Sequence, residues 1–286
     1  MYESFFGLRE SAFALTPDPR FLWLSATHEE GLAALFYGIT RRKGFILLTG
    51  EVGAGKTTLL RAALDQIPAE TETALVMNTA GLEPLDLLKL IAFELRIEGP
   101  FQSKVDYIIA LNLFLLERLK AGLNTVLIID EAQNLGPELL EEVRLLSNLE
   151  TDTDKLLQIV LTGQPELRRH LGSPHLRQLR QRIAIEHHVE FLKADQVPTY
   201  LAYRIEVAGG RYEEIFAPGS EPTFYAFSSG CPRLVSLLAD RVLLSAFGKQ
   251  IRPVPPDLVE SKAKEMEAAR SEGVAEAGDL VLELEE

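Results

Sequence analysis

The sequence has little sulfur, no long apolar run and a deficit of positive charge. A single cysteine, Cys231, occurs among 286 residues, which excludes an internal disulfide framework and a cysteine-rich metal site. No apolar run approaches the roughly 20 residues that cross a membrane, so no transmembrane segment is expected. Only 29 Lys and Arg stand against 42 Asp and Glu, for a formal net charge of −13. That balance excludes a chain that coats nucleic acid by bulk charge, although a local basic patch remains compatible with it. More than half of the excess sits in residues 257–286, which carry ten acids and three bases. The N-terminal MYESFFGLRE lacks the basic region of a signal peptide, and a soluble, cytoplasmic protein is expected. What is present is 47% hydrophobic residues, enough to fill a large domain and a small one.

Residues 1–25 combine Phe5, Phe6, Phe13, Phe21 and Trp23 with Pro17 and Pro19. The prolines forbid a regular helix, and the aromatics predict packing along a domain surface. A helix is predicted at 27–42, with an apolar stripe of Leu32, Leu35, Phe36 and Ile39. Short apolar runs follow at 45–49, 74–78, 125–129, 156–162 and 183–191. Most are continuous rather than alternating, the pattern of parallel strands buried on both faces. Helical patterns separate them at 56–66, 84–98, 104–121, 137–149 and 165–182, which predicts a three-layer α/β core. Beyond residue 192 the patterns at 195–208, 221–229, 233–247 and 256–270 are helical. The expected organisation is an α/β nucleotide-binding domain at 1–192 with an N-terminal extension, a small helical domain at 193–270, and an acidic, disordered tail at 271–286.

Gly50-Glu51-Val52-Gly53-Ala54-Gly55-Lys56-Thr57-Thr58 contains the pattern G-x-x-x-x-G-K-[ST] between a predicted strand and a predicted helix, the setting a phosphate-binding loop requires. Its glycines let several N–H groups turn inward on phosphate oxygens, and the helix start adds positive potential. Lys56 would reach the β- and γ-phosphates and Thr57 would ligate Mg²⁺. The pattern arises by chance in roughly one random chain of this size in a hundred, and the correct setting makes chance rarer still.

The run Thr125–Ile129 ends in Asp130 and Glu131. Asp130 would hold Mg²⁺ through its water shell, and Glu131 would act on the attacking water as base or polariser. One extra strand between the two motifs, with Glu after Asp, marks the hydrolytic P-loop proteins rather than small-molecule kinases. No N-K-x-D guanine-reading motif occurs, so ATP is the expected nucleotide.

TPDPRFLWLS, KGFILLTGEVGAGKTTLLR, LIIDEAQNL, VRLLSNLE, QIVLTGQPEL and LRQLRQRI occur in this order. In this the chain resembles the ExeA-like family, AAA+ ATPases of the general secretion pathway protein A type, over about residues 1–265. The resemblance implies an AAA+ core of five parallel strands with a helical lid. It also implies roles for single residues. Asn78, at the end of the second strand, is similar to the polar switch that restrains the catalytic Glu. Gln164 falls at the sensor-1 position, with Thr162 as the alternative. Gly230-Cys231-Pro232-Arg233 resembles the sensor-2 motif of the lid, in which Arg233 would contact phosphate. Arg182, before the fifth strand, is placed where the class carries an arginine finger that acts on the neighbouring subunit, with Arg180 the second choice. Hydrolysis would then require a homo-oligomer.

Three functions follow as expectations. The first is a Mg²⁺-dependent ATPase that drives or times assembly of an unknown protein partner complex, related to secretion or the envelope. The second is an ATP-dependent, DNA-associated regulator of the transposition type, supported only by Arg168, Arg169, Arg177, Arg180 and Arg182. The third is a nucleotide-switched scaffold, which the intact Asp130-Glu131 pair disfavours. His28, at a helix start, reads as structural or as a wall near the base. His187 and His188 lack metal-ligand spacing.

Overall fold

In the computed structural model every residue is described except Asn78 and residues 284–286, and the side chains of residues 270–283 are also left aside. The chain divides into two compact units, residues 26–190 and residues 1–25 with 191–286.

The first unit carries β1 (Phe45–Gly50), β2 (Glu72–Val76), β3 (Thr125–Ile129), β4 (Gln158–Gly163) and β5 (Ile183–Val189). All pair in parallel, in the order β2-β3-β4-β1-β5. The three central strands are buried at every position, whereas the edge strands β2 and β5 alternate. This is why FILLTG and QIVLTG read as continuous apolar runs and IAIEHHV does not. Phe45, Leu47, Leu127, Ile129, Ile159 and Leu161 lie in one apolar cluster with residues of α3 (Pro84–Glu94), α4 (Lys104–Lys120), α5 (Pro137–Leu146), α6 (Pro165–Leu171) and α7 (Arg177–Arg180). Helix α1 (Ala26–Thr40) packs against β5 and against α2 (Lys56–Leu64), which follows the phosphate-binding loop. The single helix expected over 165–182 is broken. α6 stops at Leu171 and a short 3-10 turn, Pro174–Leu176, precedes α7, because Pro174 supplies no N–H and displaces the preceding turn.

The second unit contains α8 (Val197–Val207), α9 (Tyr212–Ile215), α10 (Glu221–Ser228), α11 (Pro232–Gly248) and α12 (Pro256–Glu283). The N-terminal segment corrects one expectation. It belongs to this helical unit and does not extend the nucleotide-binding domain. Tyr2, Phe6, Leu8, Phe13 and Phe21 are buried in one core with Leu201, Ile205, Val235, Leu238 and Val242. Arg204 ties the segment down. Its Nε donates to the Ala12 carbonyl at 2.7 Å and its Nη2 to the Ala14 carbonyl at 3.1 Å. Its guanidinium also lies over the rings of Phe13 and Phe21. The helix predicted to end at 270 continues to Glu283, through Ala, Glu and Leu that favour helix. That stretch covers most of the expected tail. No helix of the described residues is long and apolar enough to cross a membrane.

Candidate nucleotide site

The phosphate-binding loop leaves β1 at its C-terminal end, where ligands collect in open parallel sheets. Gly53 and Gly55 take positive φ values of 82° and 96°, a region closed to most side chains. Gly55 stands immediately before α2, whose first N–H groups are available to an anion. Lys56 is buried, and its Nζ donates to the carbonyls of Gly50 at 2.8 Å and Glu51 at 3.1 Å. The ammonium therefore lies across the loop.

β4 lies between β1 and β3, and its last residues join the loop to the acidic pair. Thr57 Oγ1 donates to Asp130 Oδ2 at 3.1 Å. Thr162, fully buried, donates its hydroxyl to Asp130 Oδ1, and the Glu131 N–H donates to the same oxygen at 2.9 Å. Asp130 is itself buried, at 3% exposure. A buried carboxylate without partners would be costly, and these three donors remove that cost while fixing its direction. Thr57 and Asp130 present a hydroxyl and a carboxylate oxygen side by side. Mg²⁺ prefers such hard oxygen donors, few from protein and the rest from phosphate and water, so the residues fit MgATP.

Glu131 follows in left-handed backbone, φ 51° and ψ 38°. Its carboxylate receives Gln133 Nε2 at 2.5 Å and Gln164 Nε2 at 3.4 Å, both on Oε2. Thr79 Oγ1 donates to the Glu131 carbonyl at 3.1 Å. The structure thus brings together Lys56, Thr57, Asp130, Glu131 and Gln164. Of the two sensor-1 candidates, Thr162 is engaged on Asp130 and Gln164 reaches the carboxylate of Glu131. Sequence reasoning missed Gln133, although LIIDEAQNL displays it, because its partner lies 31 residues away.

Comparison with known proteins decides the family. A family model described as an AAA domain matches residues 39–171. General secretion pathway protein A of Aeromonas hydrophila is 43% identical over 284 residues, covering 98% of this chain and 51% of that protein. The chain belongs to the ExeA-like AAA+ ATPase family. It spans about half the length of that relative. Solved structures agree on the fold. The Aeropyrum pernix ORC2 protein superposes with a TM-score of 0.66 at 17% identity, over 90% of this chain and 71% of that one. CDC6P from Pyrobaculum aerophilum gives 0.67 at 19% identity, over 89% and 70%.

The other family-implied residues lie elsewhere. Asn78 falls outside the described residues. Arg233 is exposed in the first turn of α11, in the helical unit. The turn before it depends on Gly230, at φ +83°, where an added Cβ would lie 1.9 Å from the Leu192 carbonyl oxygen. Arg182 precedes β5, and its Nη1 donates to Ser147 Oγ at 2.6 Å. Cys231 is buried.

The first turn of α1 contributes a contact that the sequence did not disclose. His28 is buried at 2% exposure, and its Nε2 lies 3.0 Å from the Ala54 carbonyl. A carbonyl only accepts, so Nε2 carries the proton. His187 Nε2 is 2.7 Å from the Thr27 carbonyl, and His188 Nδ1 is 3.0 Å from Thr49 Oγ1. Burial holds His28 below the ordinary imidazole pKa, against the Ala54 hydrogen bond, with His187 adding to the depression. The unfolded chain therefore binds the proton first as pH falls below about 6.5. The stability contributed by neutral His28 is present above that pH and is lost on acidification through its folded pKa. The Tm advantage of the native protein over His28→Gln is expected to shrink between pH 7.5 and 5.5 in thermal melts. A constant difference would contradict this role.

Proposed function

We propose that the protein is a Mg²⁺-dependent ATPase that works as a homo-oligomer and couples hydrolysis to assembly of a partner complex in secretion or the envelope. The observation that carries the reading is the meeting of Lys56, Thr57, Asp130, Glu131 and Gln164 at the C-terminal ends of β1, β3 and β4. Lys56 would neutralise the β- and γ-phosphates. Thr57 and Asp130 would hold the metal, Asp130 through its water shell, and bound Mg²⁺ would supply charge neutralisation at the phosphates. Glu131 would take the proton from the attacking water, and Gln164 would sense the γ-phosphate. Arg233 would report lid closure. The secretion setting is supported by the relative's name and its 43% identity.

The DNA-regulator reading loses support from the arrangement of its arginines. Arg168 pairs with Glu186 and Arg169 with Glu166, each at 2.5 Å, so two of the five charges have acidic partners. Arg177 and Arg180, both exposed, and Arg182, bonded only to the neutral Ser147 hydroxyl, keep their charge, too few for strong counterion release.

Glu131→Gln tests the chemistry. General-base catalysis contributes about 10²–10⁴-fold, so steady-state turnover should fall by that amount while affinity for a fluorescent ATP analogue is retained. Turnover at the wild-type rate would remove Glu131 from the role of base.

A further inference from the structure

Gln133 lies two residues beyond Glu131 on the 3-10 turn Ala132–Asn134 and is half-buried. Its amide makes two contacts of opposite polarity. Nε2 donates to Glu131 Oε2 at 2.5 Å, and Oε1 accepts the backbone N–H of Gln164 at 3.0 Å. A carboxylate only accepts and a backbone N–H only donates, so the partners themselves set which way the amide points. β4 leaves room for it through Gly163, where an added Cβ would sit 2.8 Å from Gln133 Oε1. Gln164 sends its side-chain amide to the same Glu131 oxygen. Both donors thus fall on Oε2. The left-handed backbone of Glu131 is unfavourable in a residue with a side chain, so its surroundings must impose it.

We propose that Gln133 is the positioning residue for Glu131. It clamps one carboxylate oxygen and ties it to the β4–α6 turn that carries Gln164, leaving the other oxygen to receive the water proton. The proposal rests on the reading of Glu131 as the base. Gln133 acts through Glu131 and not on substrate. Its bond to the Gln164 N–H gives the turn that would sense the γ-phosphate a direct mechanical link to the base. Rotation of Gln164 would be felt at Glu131 through one side chain.

Two variants separate the contacts. Gln133→Met keeps the length and removes both hydrogen bonds. Gln133→Glu keeps an acceptor for the Gln164 N–H and sets an oxygen against the Glu131 carboxylate. Each is expected to lower kcat at least about tenfold, with KM for ATP and affinity for a fluorescent ATP analogue within about twofold. On a Glu131→Gln background, Gln133→Met should change the residual turnover less than about twofold, because residues acting as one unit are not additive. Wild-type kcat in Gln133→Met, with Glu131→Gln inactive, overturns the proposal and leaves the base assignment intact. Near-normal kcat in Gln133→Glu with loss in Gln133→Met would make Gln133 only a closure of the turn, which also overturns it. So would an equal fold-loss on both backgrounds. Wild-type turnover in Glu131→Gln itself is a different readout, and it would fail the underlying reading instead.

Discussion

Lys56→Ala is expected to abolish both ATP binding and turnover. The Nζ of Lys56 is the cation held inside the loop, by the carbonyls of Gly50 and Glu51 at 2.8 and 3.1 Å. Phosphate oxygens entering among the loop N–H groups would exchange those neutral acceptors for charged ones, which form stronger hydrogen bonds to an ammonium. Alanine removes that gain and leaves the anion without its countercharge. Affinity for a fluorescent ATP analogue should fall at least about a hundredfold, which is about 2.7 kcal/mol. Two carbonyls also lose a donor, but the loop borders solvent at Glu51 and Val52, so water replaces the bond and the fold should survive. Circular dichroism and the melting temperature check that point. A correctly folded Lys56→Ala protein with wild-type affinity and turnover would show that this loop is not the nucleotide site.

Much of this site was legible because its signals are local. A glycine-rich loop between a buried strand and a helix, and two acids closing another buried strand, are read within ten residues of chain. The central strands were equally plain, since burial on both faces removes the need for polar alternation. What escaped reading depends on contacts distant in sequence. Nothing in MYESFFGLRE says which core its aromatics enter, and the answer rests on Leu201, Ile205 and Val235, far along the chain. His28 could be placed at a helix start, but its carbonyl partner at Ala54 could not. Gln133 stood in view beside Glu131, while the N–H that fixes its amide belongs to a turn after another strand. The break in the 165–182 helix was the exception. Gly172-Ser173-Pro174 was a local signal, and the helical periodicity on either side masked it.

Arg182→Ala is expected to produce the other large loss, and only in an assembly. Register places Phe45 opposite Ile183 and Gly50 opposite Val189. Arg182 therefore stands at the far end of the sheet from its own phosphate-binding loop, about 20 Å away at some 3.3 Å per residue. An arginine at that end does not serve the site of its own chain. It is also prepared rather than loose. Nη1 donates to Ser147 Oγ, whose hydroxyl donates to the Arg144 carbonyl at 2.6 Å. A guanidinium held in place before the edge strand β5 would lose less conformational freedom on meeting a neighbour's γ-phosphate. Fingers of this kind contribute about 10³–10⁵-fold to turnover, so the variant should bind ATP normally and hydrolyse it at a small fraction of the wild-type rate. Specific activity of the native protein should rise with protein concentration. The decisive measurement mixes two inactive proteins. Lys56→Ala subunits keep the arginine but lose the nucleotide site, and Arg182→Ala subunits keep the site but lose the arginine. Activity in the mixture, absent from either alone, is expected if Arg182 acts across the interface. A mixture that co-assembles and stays inactive, or an Arg182→Ala protein that turns over ATP at the wild-type rate, would move the role to Arg180, whose exposed side chain would then be tested in the same pairing.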